Sequence, residues 1–349
     1  MNARLLRLAA VFVLALAARV AAAERPAAPN IIVILADDMG IGDVSALNPR
    51  SLWKTPHLDR LAAEGMTFTD AHSSSGVCTP TRYTLLTGRY SWRGRLKRGV
   101  LNGYGAPLIE PGRLTLPGFL RSRGYTTAMF GKWHLGLDWA KSGSGPEDVD
   151  YAKSFGGGPV ANGFDRFIGI SASLDMPPYV WLRDDRVTAP PTARVGDSPA
   201  PRLWRAGPIG GDFRMEDVQP RLTRETIDFV AGQAASRARR PFFVYLALAS
   251  PHTPTLPTEE FSATTPTPYG AFVRPEYRGR GLIRHALVAL GRGWEEVYAE
   301  VRPENLPARR SLEALGFRPV GWLEVLILGV PKVRWWRFAR FRAAREGAP

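Results

Sequence analysis

Cysteine is almost absent from this sequence, since Cys78 is the only one among 349 residues. A disulfide bond within the chain is therefore excluded, and the fold must be stabilised by its hydrophobic core. A single cysteine is most often a small buried apolar residue. Whether Cys78 is such a residue or a chemically used one depends on the residues around it.

The N-terminal region lacks an apolar run long enough to cross a bilayer, which takes about 20 residues. Its apolar segment, residues 8–18, is preceded by two arginines and followed by Arg19. A basic start, a short apolar segment and small residues at 21–23 are typical of a secretory signal peptide. We therefore expect a signal peptide over residues 1–23, cleavage after Ala23, a periplasmic or secreted mature protein and no stable membrane anchor.

Aspartate is missing from the C-terminal part of the chain, because none follows Asp228. Residues 268–349 carry 15 Lys and Arg against 8 Glu, an excess that makes up half of the formal net charge of +14. Clustered cations can bind nucleic acid. Here the excess coincides with a change in composition, so we interpret it as a different module and expect no nucleic-acid partner.

A buried parallel strand is predicted at residues 30–36, which form a continuous apolar and β-branched run. Asp37 and Asp38 follow this strand directly. In open α/β sheets ligands bind at the carboxyl ends of the strands, and carboxylates are the hard oxygen ligands that Ca²⁺ and Mg²⁺ prefer. The two residues alone are also compatible with a polar turn before Gly40.

Cys78 opens the segment C-T-P-T-R, and L-L-T-G follows at residues 85–88. Proline suits an early helical position, so a helix is predicted whose first turn carries Thr79 to Arg82. The N-terminus of a helix attracts anions. These neighbours favour a chemically used Cys78 over a buried apolar one.

Two further segments place cations after predicted strands. Lys132 and His134 lie in G-K-W-H-L-G, after a strand predicted at residues 125–130. In an extended chain they project to the same side, where both could stabilise a negative oxygen and His134 could pass a proton. His252 lies in S-P-H-T-P, after an apolar strand predicted at residues 242–248. Each segment taken alone is compatible with a surface or structural role.

Together these segments resemble the sulfatase family of the arylsulfatase type, over residues 29–261. The resemblance is carried by P-N-I-I-V-I-L-A-D-D-M-G at residues 29–40, the frame at residues 76–88, G-K-W-H-L-G and P-H-T-P. It implies an α/β fold with an alkaline-phosphatase-like mixed sheet flanked by helices. Residues 162–167 are similar to the family's G-F-D-x-F segment and are expected near the substrate. Many Gly, Pro and Ser residues predict long loops over residues 141–215.

The resemblance implies hydrolysis of sulfate esters, with a sulfate-ester small molecule or a sulfated glycan as substrate. A separate maturation enzyme would oxidise Cys78 to formylglycine, whose hydrate attacks sulfur. The resemblance implies that Asp37, Asp38 and residue 78 bind Ca²⁺ or Mg²⁺ and that Lys132 stabilises negative charge on the sulfate. It also implies that His252 protonates the leaving alcohol and that His134 removes a proton. Arg82 is implied to support the aldehyde.

The family pattern also includes an Asp-Asn pair and a lysine after the P-H-T-P strand. Asn305 and Lys332 are the only Asn and Lys after His252, and both lie in a different context. We therefore expect an incomplete sulfatase N-terminal domain over residues 24–262, with a half-built metal site and impaired activity. A fusion product without activity is the alternative.

A different pattern follows the Thr/Pro-rich linker, residues 263–268. Residues 273–282 resemble the acetyl-CoA phosphate loop of GNAT-type N-acetyltransferases, and residues 305–317 resemble a later helix and strand of that family. This resemblance implies a partial GNAT-like α+β segment over residues 269–349, with acetyl-CoA phosphates held by Arg278, Gly279, Arg280 and Gly281. An active N-acetyltransferase is the lesser alternative, since only the second half of that fold is present and acetyl-CoA is cytosolic.

Overall fold

The computed structural model describes residues 28–68, 70–199, 203–236 and 240–259, together with the backbone of three strands between residues 298 and 343. Contacts divide these residues into two units, one formed by residues 29–259 and the other containing the three later strands. The expected signal peptide, the linker at residues 263–268 and the acetyl-CoA loop at residues 278–281 lie outside the described residues.

A mixed sheet forms the centre of the first unit, as predicted. The strands of this unit are β1 (Ile31–Asp37), β2 (Thr126–Lys132), β3 (Arg166–Ile170), β4 (Leu182–Arg183), β5 (Arg186–Val187), β6 (Pro191–Val195), β7 (Gly207–Gly210) and β8 (Phe242–Pro251). Six of them form one sheet in the order β1-β8-β2-β3-β4-β5, whereas β6 pairs with β7. The first four strands of the sheet run parallel, and β4 and β5 are antiparallel additions at its edge.

Helices cover both faces of the sheet, because a parallel sheet presents apolar side chains on its two sides. The helices are α1 (Pro56–Glu64), α2 (Cys78–Thr87), α3 (Leu116–Ser122) and α4 (Val218–Ala235). All ten residues of β8 are buried. Its alternate side chains belong to two separate core clusters, which include residues of α4 on one face and of α2 and α3 on the other.

Two expectations for residues 141–215 need correction. The region contains the five strands β3 to β7 and is not only loops, although strands of two to five residues are too short to produce a clear alternating pattern. The segment at residues 162–167, which was expected near the substrate, lies elsewhere. Asp165 accepts a hydrogen bond from the backbone N–H of Thr127 at 2.9 Å, so it lies at the start of β2. Lys132 is at the other end of that strand, about 16 Å away.

The second unit contains β9 (Tyr298–Val301), β10 (Phe317–Gly329) and β11 (Lys332–Ala343). They form an antiparallel sheet in the order β10-β11-β9. The helix and strand expected over residues 305–317 end where β10 begins, at Phe317. Among the described residues, no helix has the length and apolar character that a membrane crossing requires.

Candidate active site

The carboxyl ends of three adjacent parallel strands bring the sequence-predicted residues together. Asp37 ends β1, Lys132 ends β2, and His252 follows β8, which lies between them in the sheet. Helix α2 begins with Cys78 at the same edge. This is the position at which α/β sheets bind ligands, because loops and helix termini converge there.

Lys132 is the centre of this group. Its buried ammonium donates hydrogen bonds to Asp37 Oδ2 at 2.5 Å, to Ser173 Oγ at 3.0 Å and to Cys78 Sγ at 3.2 Å. An ammonium has three donors, so all of them are used. The preceding residue must be glycine, because a Cβ on Gly131 would lie 1.8 Å from the carbonyl oxygen of Ala247 on β8. The close packing of β2 against β8 at Gly131 therefore determines the position of Lys132 at the end of the strand.

Arg82 is also fully buried and connects α2 to the sheet. Its guanidinium forms an ion pair with Asp37 Oδ1 at 3.2 Å and donates hydrogen bonds to the carbonyl oxygens of Lys132 at 2.8 Å and Leu248 at 3.3 Å. Burial raises the pKa of the Asp37 carboxyl, but the charges of Arg82 and Lys132 lower it by more, and the net pKa lies well below the usual range. Asp37 is therefore an ionised carboxylate held between two cations.

The thiol of Cys78 is not activated by these surroundings. Burial raises its pKa, and the opposing effect of Lys132 does not compensate for burial together with the negative charge of Asp37. The reactive form of cysteine is the thiolate. At neutral pH Cys78 is therefore a protonated thiol, which is a poor nucleophile in its unmodified state.

His252 is oriented by its own loop and by a serine. Its Nδ1 lies 2.6 Å from the carbonyl oxygen of Thr253, which can only accept, so Nδ1 carries the proton of the neutral ring. Nδ1 also lies 3.1 Å from Ser173 Oγ. Nε2 faces the carboxylate of Asp38, at 3.6 Å from Oδ2. Nε2 is therefore the ring atom that can exchange a proton at this edge of the sheet.

Ser173 connects Lys132 to His252 and is a site residue that the sequence analysis missed. It is buried and lies three residues after β3, the parallel strand next to β2. The available signal was a pair of serines, Ser171 and Ser173, directly after a buried strand. That signal becomes informative only once β3 is known to lie beside β2.

The predicted geometry of His134 is wrong. Strand β2 ends at Lys132, and His134 adopts a left-handed backbone conformation with φ of 55°, so the two side chains do not alternate as in an extended chain. His134 Nε2 lies 2.7 Å from the carbonyl oxygen of Leu101, and Nδ1 is buried without a hydrogen-bond partner among the described residues. Burial and the charge of Lys132 hold the pKa of His134 well below its ordinary value. The ring is therefore neutral.

The donors at this edge fit part of a divalent-cation site. Among the described residues, the one group of three or more His, Cys, Asp or Glu donors within reach of a single ion is Asp37, Cys78 and His252, with ligand atoms within 4.8 Å of one another. Ca²⁺ and Mg²⁺ prefer oxygen to the sulfur of an unmodified cysteine. An oxygen at position 78 would join the carboxylates of Asp37 and Asp38. Three such residues are fewer than the six to eight oxygens that Ca²⁺ usually takes.

The chain resembles known sulfatases in sequence over most of this unit. The model of the Sulfatase protein family matches residues 29–277, which include residues 269–277 of the segment that we assigned to an acetyltransferase. An N-acetylgalactosamine-6-O-sulfatase of Bacteroides thetaiotaomicron is 31% identical over 67% of this chain and 50% of its own length. Human arylsulfatase A is 37% identical over 71% of this chain and 46% of its own length. The chain thus spans about half the length of these curated relatives.

Solved structures give the same assignment for the fold. A structure from a Bacteroides thetaiotaomicron locus for the metabolism of multiple glycosaminoglycans superposes with a TM-score of 0.63 and 26% identity, covering 83% of this chain and 66% of that one. This likeness supports the alkaline-phosphatase-like sulfatase fold that the sequence predicted. Because the family model covers well over half of the residues, the chain belongs to the sulfatase family.

Proposed function

We propose that this protein is a hydrolase of sulfate esters whose nucleophile is formylglycine, formed from Cys78. The observation that carries the proposal is the buried ammonium of Lys132, which contacts Cys78 Sγ, Asp37 Oδ2 and Ser173 Oγ at once. A fixed cation beside position 78 suits an anionic group that reacts there. The raised pKa of the Cys78 thiol argues that this position acts only after chemical conversion.

Each side chain at the edge of the sheet then has a definite task. Formylglycine at position 78 would supply an aldehyde hydrate, an oxygen nucleophile for the sulfate group. Lys132 holds that residue in place and stabilises negative oxygen. His252 donates a proton to the leaving alcohol through Nε2 when its ring is protonated, with Nδ1 held by Thr253. Arg82 holds Asp37 and the end of β2 in position.

His134 and the cation-binding residues complete the proposed set. Nδ1 of the neutral His134 ring has no hydrogen-bond partner in the part of the chain that the structure describes, so it can accept a proton. We propose that it is the base that takes the proton of the hydrate's second hydroxyl at position 78. Asp37, Asp38 and residue 78 would hold a Ca²⁺ or Mg²⁺ ion, which would draw charge from the sulfate oxygens. The sequence offers no Asp after Asp228 to complete such a site. We propose that Asp37, Asp38 and residue 78 would by themselves hold such an ion weakly.

The names of the relatives guide the choice of substrate and partner. One relative is a sulfatase of N-acetylgalactosamine 6-O-sulfate and another is an arylsulfatase. We propose a sulfated sugar or an aryl sulfate as the substrate of this chain. The first partner would be a formylglycine-forming enzyme, met before or during export to the periplasm or the medium.

Turnover of an aryl sulfate ester tests this function. The chain produced together with a formylglycine-forming enzyme should release the phenol at a measurable rate in the presence of Ca²⁺, and a chelator should lower that rate. Intact-mass analysis of the peptide containing residue 78 should show sulfur replaced by oxygen with the loss of two hydrogens. No turnover from a fully converted sample would contradict the proposal and favour the inactive fusion.

Replacing Ser173 with alanine separates the serine's role in the site from its role in stability. The hydroxyl links Lys132 to His252, so its loss should lower kcat by roughly 10- to 100-fold, less than the roughly 10²- to 10⁴-fold that a proton-transfer group itself contributes. The free energy of unfolding should fall by about 1–3 kcal/mol, because the buried Lys132 ammonium loses one acceptor. Steady-state kinetics and urea unfolding measure the two effects. Ser171→Ala, in the same loop, is the matched control, and an equal loss of kcat in both variants would contradict the role.

A further inference from the structure

Exposed positive charge is concentrated on the segment of chain that follows α2 and precedes Leu101. We define the basic strip as residues 89–98, R-Y-S-W-R-G-R-L-K-R. No Asp or Glu occurs in the sequence between Asp70 and Glu110. Within the strip Arg93, Arg95, Lys97 and Arg98 are exposed. The strip is therefore a local concentration of cations on the surface.

The charges of these four side chains are not neutralised by the described residues. Arg89 forms an ion pair with Glu110, but none of the other four cations is in an ion pair with a described residue. Arg95 donates hydrogen bonds to the carbonyl oxygens of Ala106 and Pro107, and Lys97 donates one to the carbonyl of Trp92 at 2.8 Å. These bonds fix the side chains against neutral groups and leave their positive charge to act on an external anion.

Two aromatic rings stand among the cations. Tyr90 and Trp92 stack with their centroids 5.4 Å apart and their planes at 15°, and they are 49% and 57% exposed. Large aromatic rings normally bury most of their surface. An exposed stacked pair offers a flat apolar surface on which the C–H face of a sugar ring can pack. Cations and aromatic surface therefore alternate along the same short segment.

The basic strip leads directly to the candidate active site. Leu101 follows it by three residues, which span at most about 11 Å of chain beyond Arg98. The backbone N–H of Leu101 donates to Thr79 Oγ1 at 3.2 Å, next to Cys78, and its carbonyl lies 2.7 Å from His134 Nε2. The strip therefore lies within a short length of chain of a residue that contacts the candidate site on both its backbone N–H and its carbonyl side.

We infer that the basic strip binds the part of a sulfated glycan chain that lies beyond the reacting sulfate, with Tyr90 and Trp92 packing on sugar rings and Arg93 and Arg98 pairing with further sulfate groups. This inference rests on the proposed function, because it assigns the substrate to the polymeric sulfated class. Single-stranded nucleic acid also combines negative charge with stacking. The glycan is favoured because the strip lies three residues before Leu101, which contacts the site proposed to receive a sulfate group.

Binding of a labelled heparin decasaccharide to the full-length chain tests the inference. The Cys78→Ala chain is used, so that sulfate hydrolysis cannot intervene and the result does not depend on turnover. Fluorescence polarisation at low salt should give saturable binding that weakens as salt is added, because exposed charges are screened. Trp92→Ala combined with Arg93→Gln and Arg98→Gln should raise Kd by roughly tenfold or more. Aryl sulfate turnover of the same triple variant with Cys78 restored should remain unchanged.

The control variant carries the same kinds of change away from the strip. Phe68→Ala with Arg194→Gln and Arg224→Gln removes one exposed aromatic ring and two exposed cations, and its Kd should equal that of the parent. Equal weakening in both triple variants would overturn the inference, as would tight binding of an unsulfated hyaluronan decasaccharide or of a single-stranded oligonucleotide of equal charge. Loss of aryl sulfate turnover in every sample, with glycan binding retained at the strip, would instead count against the proposed function alone.

Discussion

Replacing Cys78 with alanine is expected to lower aryl sulfate turnover by at least about 10³-fold. The expected loss is large because alanine has no thiol that could be converted to the proposed formylglycine, while Lys132, Ser173 and His252 remain in place. Cys78 is only half-buried, so the alanine variant should fold normally. Initial rates of phenol release, normalised to protein that melts with the parent Tm, measure the effect.

Two controls show whether the loss comes from position 78 itself. The parent chain produced without a formylglycine-forming enzyme keeps the protonated thiol and should be as inactive as Cys78→Ala. Thr84→Ala changes a hydroxyl on the same helix that has no hydrogen-bond partner among the described residues, and it should keep parent turnover. Parent-like rates from the unconverted thiol would contradict the proposed need for formylglycine.

The sequence was sufficient to locate residues that follow apolar strands, although residues 31–36 of β1 are half-buried and not fully buried as predicted. Asp37 directly follows an apolar β-branched run, and His252 comes soon after another, so their convergence followed from the rule that parallel strands end at one edge. The start of α2 also followed from a local signal, because a proline at an early helical position predicted a first turn over residues 79–82. Each of these predictions used residues adjacent in sequence.

Features that depend on distant neighbours could not be predicted in the same way. Ser173 became part of the site because β3 lies next to β2, which no local pattern encodes. The left-handed conformation of His134 is set by packing at the end of β2, where periodicity ends. Arg82 was expected to support the aldehyde at position 78, but its ion pair with Asp37, 45 positions earlier in the chain, was not predicted. Long-range contacts decided each of these details.

That contact of Arg82 gives the largest expected effect on stability. Replacing Arg82 with leucine should lower the free energy of unfolding by about 3–5 kcal/mol, because the ionised Asp37 keeps only Lys132 as a partner and two buried carbonyl oxygens lose a donor. The corresponding fall in Tm is roughly 10 °C for a unit of this size. Urea unfolding followed by tryptophan fluorescence measures the change. Arg89→Leu removes a partly exposed arginine paired with Glu110 and should cost less than about 1 kcal/mol.

A double substitution identifies the cause of this loss. If the cost arises because the Asp37 carboxylate is left without Arg82, the double variant Arg82→Leu with Asp37→Asn should lose less free energy of unfolding than the two single variants lose together. Acidification gives an independent check, because the pKa of Asp37 is lower in the folded protein than in the unfolded chain. Its pairing therefore contributes stability above about pH 4 that is lost as the pH falls, and Asp37→Asn should lack this component. Additive losses, or equal effects of Arg82→Leu and Arg89→Leu, would mean that the buried pair does not hold α2 against the sheet.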